Sequence, residues 1–192
     1  MKEEMEHNKI SWKRILIFFI IATAISNIFR FDVFEFKSEL EKLPTWIFIL
    51  TTLLLAGSGV IIGALITISF LKKQRKTEIS LFGTSKSKSL IMAVIPIIIV
   101  TIVGVKNDFE IDAHLYGFIA ITGTLLYCIM EEYGWRGYLQ EELKSFKPWR
   151  KYLAIGFIWY LWHLTFLTNA TVGNNLFFLA MMIFGSWGIG QV

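Results

Sequence analysis

Charge is scarce in this chain. Only 18% of its 192 residues are Asp, Glu, Lys or Arg, against 55% in the hydrophobic set, whereas soluble domains carry about 25% charged and about 45–50% apolar residues. The scarcity is uneven, since neither Leu43 to Leu71 nor Tyr152 to Val192 contains an Asp, Glu, Lys or Arg. Runs of about 18 or more mainly apolar residues mark membrane-spanning helices, which excludes most soluble readings. Thiols are scarcer still. The single Cys128 can form neither an intrachain disulfide nor, alone, a thiolate zinc site, so redox chemistry is set aside. No H-E-x-x-H pattern is present. The three histidines fall in a terminal tail (His7), at the outer end of a span (His114) and within a span (His163), so they do not converge on one metal. No Ser, His and Asp take up positions suggestive of a triad, and there is no internal repeat.

What remains reads as an all-α fold, a polytopic membrane helix bundle forming one domain over residues 1–192. About six spans are expected, at 15–29, 46–70, 89–105, 114–130, 152–167 and 176–192. Pro96 lies inside the third span and is expected to kink it. Ala22-Thr23-Ala24 resembles a signal-peptidase site, but the apolar run continues through Phe29, which favours a retained span. Gly57-Ser58-Gly59 and Gly63 suit close helix packing better than phosphate binding. Asn169-Ala170-Thr171 matches a glycosylation sequon, relevant only in a pathway that glycosylates.

The net charge of +4 does not point to nucleic acid, because the basic residues sit between the spans and not on one soluble surface. They are instead a topological signal. Fifteen Lys and Arg fall in the N-terminal segment and the even-numbered loops, and only Arg30, Lys37, Lys42 and Lys106 fall in the others. The positive-inside rule then predicts a cytoplasmic N-terminus. The Lys72 to Lys76 cluster reads as a stop signal, with anionic-lipid contact as a secondary role.

Ionisable groups within spans cost about 2.5–3.5 kcal/mol each on insertion scales and are functional candidates by default. Two segments qualify. In Glu131-Glu132-Tyr133-Gly134-Trp135-Arg136-Gly137-Tyr138 the fourth span runs into two carboxylates; in Trp159-Tyr160-Leu161-Trp162-His163 an imidazole sits in an apolar helix. If the first segment is helical, Glu132 and Arg136 pair at i,i+4, and Glu131 turns about 100° away toward Trp135 and Tyr138. Burial there suits a general base near neutral pH, and His163 could share a water with it. The plainer alternatives are that the two carboxylates mark the solvated mouth of a helix and that His163 is a hydrogen-bonded packing residue.

Together the two segments resemble the first two motifs of the CPBP family, the CAAX prenyl protease and bacteriocin-processing (Abi-type) intramembrane glutamic endopeptidases. Its EExxxR motif is matched by Glu131, Glu132 and Arg136, and its FxxxH motif by His163 with Trp159 in the Phe position. The resemblance is strong over Leu125 to Phe166. It implies that Glu131 and His163 activate the attacking water, that Glu132, Arg136 and Trp159 support them, and that neither metal nor cofactor takes part. It implies a membrane-associated protein or peptide substrate, including prenylated CAAX tails in eukaryotic members, cleaved near the cytoplasmic face of a multi-pass protein of a bacterial cell membrane. The family's third motif, a His with Asn four positions on, has no counterpart after His163, where Asn169, Asn174 and Asn175 belong to the loop on the opposite side. The expectation is a sequence truncated before that motif, at about 10²–10³ in rate per lost oxyanion donor. Two rival readings follow: a non-catalytic immunity or partner-binding protein of the same fold, and a transporter whose Glu131, Glu132 and His163 form a proton path. Counting about 1.5 Å per residue puts Glu131 near the cytoplasmic boundary and His163 nearer mid-membrane. A shared water requires the two within about one water's reach.

Overall fold

The computed structural model describes residues 10–71, 85–164, 167 and 170–190, all of them helix, turn or loop with no strand. His7, the Lys72 to Lys76 cluster and Asn169 lie outside these residues. In chain order the helices are α1 (Trp12–Arg30), α2 (Phe36–Leu40), α3 (Thr45–Leu71), α4 (Lys86–Val103), α5 (Ala113–Glu132), a π-helical segment (Tyr133–Leu139), α6 (Gln140–Glu142), α7 (Pro148–His163) and α8 (Val172–Ile189). Several of their starts follow from short polar residues or proline. The Ser85 hydroxyl accepts from Lys88 N at 3.4 Å and the Thr171 hydroxyl from Asn174 N at 3.3 Å, and Pro148 opens α7 at its first turn, where no amide hydrogen is required. Asp112 starts α5, its Oδ1 accepting from His114 N and Leu115 N at 3.0 Å each. Those backbone hydrogen bonds, Leu115 foremost, hold its carboxyl below the ordinary carboxylate range.

Five helical runs among the described residues are long and apolar enough to cross a membrane: Trp12–Arg30, Thr45–Leu71, Lys86–Val103, Ala113–Glu142 and Val172–Ile189. The protein is therefore a multi-pass membrane protein. Two boundaries differ from the sequence expectation of about six spans. The fourth span does not end at Met130, because helical backbone continues through the π segment to Glu142 for 30 residues, about 45 Å against a hydrocarbon core of about 30 Å. The expected span at 152–167 corresponds to α7, whose 16 residues reach about 24 Å, and it is not one of the five. Pro96 sits within α4, which is assigned as helix on both sides of it. No residue of α4 is buried, and large apolar side chains such as Met92, Ile102 and Val103 stand exposed, as hydrocarbon-facing positions do.

The chain divides into two compact units. The first comprises the described residues of Met1–Thr23, Val60–Ile79 and Glu132–Val192, the second those of Ala24–Gly59 and Ser80–Glu131. The first unit holds the large core. Phe18, Val60, Ala64, Trp135, Tyr138, Leu139, Leu143, Ile155 and Trp162 are fully buried there. Phe18 packs on Trp135 and Tyr138 at ring separations of 5.3 and 4.9 Å, and Trp135 meets Trp162 edge-on at 5.8 Å. Arg14 fastens α1 to α6 through Nε and Nη2, 3.2 and 2.8 Å from Glu142 Oε2. Helices α7 and α8 close tightly at Gly156, where a Cβ would stand 2.6 Å from Ile183 Cα. The glycines of α3 do serve close packing: a Cβ on Gly63 would come within 3.1 Å of the α1 backbone, and one on Gly57, in the second unit, within 2.9 Å of the Tyr127 ring.

Candidate active site

Glu131 occupies the last turn of α5 and is 5% exposed, so it is not the solvated mouth of a helix. Because the helix runs on past it to Glu142, the carboxylate sits within a continuous helical run and not at its end. Within the second unit, the Tyr127 hydroxyl, one turn earlier on the same face, donates to Glu131 Oε1. The guanidinium of Arg30, at the end of α1, is within electrostatic reach of both Tyr127 and Glu131. Its Nε and Nη2 are buried.

The first unit holds the rest of the expected set. Glu132 Oε1 pairs with Arg136 Nη1 at 3.0 Å, the i,i+4 pair that the spacing predicts. The segment between them is π-helical, with Gln140 N bonded to Trp135 O five residues back. Such segments recur at functional sites; here it carries Trp135 and Tyr138 in the first unit's core. The Arg136 guanidinium carbon lies 4.3 Å from the centre of the Trp159 ring, a cation–π contact. Trp159 then meets the imidazole through its backbone, its carbonyl oxygen lying 2.9 Å from His163 Nδ1. The imidazole is further held edge-on by Trp162 at 4.7 Å and Phe178 at 5.2 Å. Glu132, Arg136, Trp159 and His163 thus form one connected chain of contacts. A carbonyl can only accept, so in the neutral ring Nδ1 carries the hydrogen and Nε2 is the acceptor.

Glu131 belongs to the other unit, and the structure gives it partners there: Tyr127 and Arg30. Sequence reasoning missed both. Tyr127 had a legible signal, lying four residues before Glu131 on one helix. Arg30 had a weaker one, as a cation at the very end of a span, and was counted only for topology. His114 Nδ1 lies 3.0 Å from Thr101 O, near an exposed helix end. Asn175 bonds Ala170 O and Thr171 O, both at 3.2 Å, at the start of α8. Among the described residues no three His, Cys, Asp or Glu side chains are grouped as metal ligands.

Residues 113–189, which contain both motifs, match the family model of type II CAAX prenyl endopeptidase Rce1-like proteins. No curated protein and no solved structure matches the chain.

Proposed function

From a domain of the Rce1-like type II CAAX prenyl endopeptidase (CPBP) family at residues 113–189, we propose that this protein is an intramembrane endopeptidase acting on a membrane-associated protein or peptide with a CAAX-like tail. The observation that carries the reading is a buried carboxylate, Glu131, at the first position of EExxxR inside the matched segment. Glu131 is the general base. It takes a proton from water as the hydroxyl oxygen adds to the scissile carbonyl, and that proton passes to the departing amine when the C–N bond breaks. His163, the histidine of the second motif, is the second catalytic residue and acts through Nε2. The contact between its Nδ1 and Trp159 O fixes the ring, and the Glu132–Arg136–Trp159 chain braces that helix. The cleaved bond lies toward the cytoplasmic face, and the N-terminus is cytoplasmic.

The test is cleavage of a fluorogenic CAAX-tail peptide, prenylated and unprenylated, by the purified protein in proteoliposomes. Glu131→Ala and His163→Ala should each lower turnover by about 10²–10⁴. Undiminished cleavage by Glu131→Ala would overturn the mechanism, and a cellular effect that survives this substitution assigns the protein a non-catalytic binding role.

A further inference from the structure

The matched segment begins at residue 113, so its motifs give no role to Arg30 or to Gly57. Both lie in the second unit with Glu131. A carboxylate 5% exposed favours its neutral acid unless a cation and a hydrogen-bond donor face it. A neutral acid cannot take a proton from water. The structure supplies both needs from the same unit. The Tyr127 hydroxyl donates to Oε1, and Arg30 is in electrostatic reach of Tyr127 and Glu131 together. Cys128 is a further titratable neighbour of Tyr127.

The Tyr127 ring is itself located by a neighbouring helix. A Cβ on Gly57 would stand 2.9 Å from its Cδ2, so the absence of a side chain at residue 57 is what lets the ring lie against α3. Arg30 also lines a cavity of about 280 Å³ with Phe29, Asp32, Phe36, Lys37 and Phe48, while its Nε and Nη2 are buried.

We propose that Arg30 and Tyr127 are positioning residues that hold Glu131 as an ionised carboxylate, the form in which it can act as a base. The proposal rests on Glu131 being the general base. It predicts its own spectroscopic signature even in a preparation that cleaves nothing.

The experiment is infrared difference spectroscopy of the full chain in detergent at neutral pH, with the Glu131 band assigned by subtracting the Glu131→Gln spectrum. Wild type should show a carboxylate stretch. Arg30→Met should replace it with the carbonyl stretch of a protonated acid, Arg30→Lys should restore it, and Tyr127→Phe should shift it while leaving the fold intact. In the cleavage assay Arg30→Met should lower kcat at least about tenfold with KM little changed, and Arg30→Lys should recover most of the loss. A Glu131 band that is identical in wild type, Arg30→Met and Tyr127→Phe overturns the proposal. If Glu131→Gln abolishes cleavage while Arg30→Met and Tyr127→Phe cleave as wild type, this inference fails and the protease reading stands. If Glu131→Gln cleaves normally, the general-base role of Glu131 fails, and the infrared bands still decide what Arg30 does.

Discussion

Trp159 stands where the resembling motif carries Phe, and the structure gives the larger ring a task. Its face lies 4.3 Å from the Arg136 guanidinium carbon, and its own carbonyl meets His163 Nδ1 at 2.9 Å. One residue therefore ties the Glu132–Arg136 pair to the imidazole, by the side chain on one side and the backbone on the other. Trp is the strongest of the cation–π partners, so Trp159→Phe should keep the arrangement in weakened form. Trp159→Leu removes it, costing about 1 kcal/mol from the lost cation–π contact and adding the disorder of an unstacked guanidinium. Thermal unfolding in detergent should thus rank wild type, Phe and Leu in descending order, and cleavage should follow the same order. A Leu variant equal to the Phe variant in both measurements would leave Arg136 with no dependence on the ring.

At the scale of elements, α5 is where sequence and structure part company. Its start is legible: Asp112 precedes the apolar run, and its Oδ1 accepts from two amides of the first turn, as a capping carboxylate does. Those bonds favour the ionised form, so the folded-state pKa lies below the unfolded one. The contribution of Asp112 is therefore fully present above the ordinary carboxylate pKa of about 3.9 and is lost as pH falls through the lower folded value. Asp112→Ala should lower the melting temperature at neutral pH, and the gap to wild type should close below about pH 4. A gap unchanged by acid would mean that the cap acts through something other than its charge. The end of α5 was not legible. Hydropathy falls at Glu131, and a pattern reading stops the span at Met130, but backbone hydrogen bonds do not require apolar side chains and the helix continues. The switch to i→i+5 bonding over Tyr133–Leu139 leaves no mark in the hydropathy pattern. The pairing of Glu132 with Arg136 was readable because both partners lie on one turn of one helix. The company of Arg30 and Glu131 was not, because it joins helices about a hundred positions apart and depends on tertiary packing.

For the whole molecule, the matter that most constrains the site is which face of the membrane it opens on. Lys and Arg are crowded on one set of loops, fifteen against four, and short loops rich in Lys and Arg stay cytoplasmic. Helical backbone runs from Ala113 to Glu142 for 30 residues, about 45 Å, which exceeds a hydrocarbon core of about 30 Å. A single crossing by this run would put the loop before Ala113 and the loop after Glu142 on opposite sides. Asp108 and Ser145 are exposed residues of those two loops. Replacing them by Cys leaves every Lys and Arg in place, so the topological signal is not disturbed. In a Cys128→Ser background, a membrane-impermeant maleimide applied to intact cells should label Asp108→Cys, and should label Ser145→Cys only after the cells are opened. The opposite pattern would turn the protein over in the membrane and move the proposed cleavage to the outer face. Equal labelling of both positions in intact cells would mean that the 30-residue run does not cross the membrane, which would remove Glu131 from the environment that its proposed role requires.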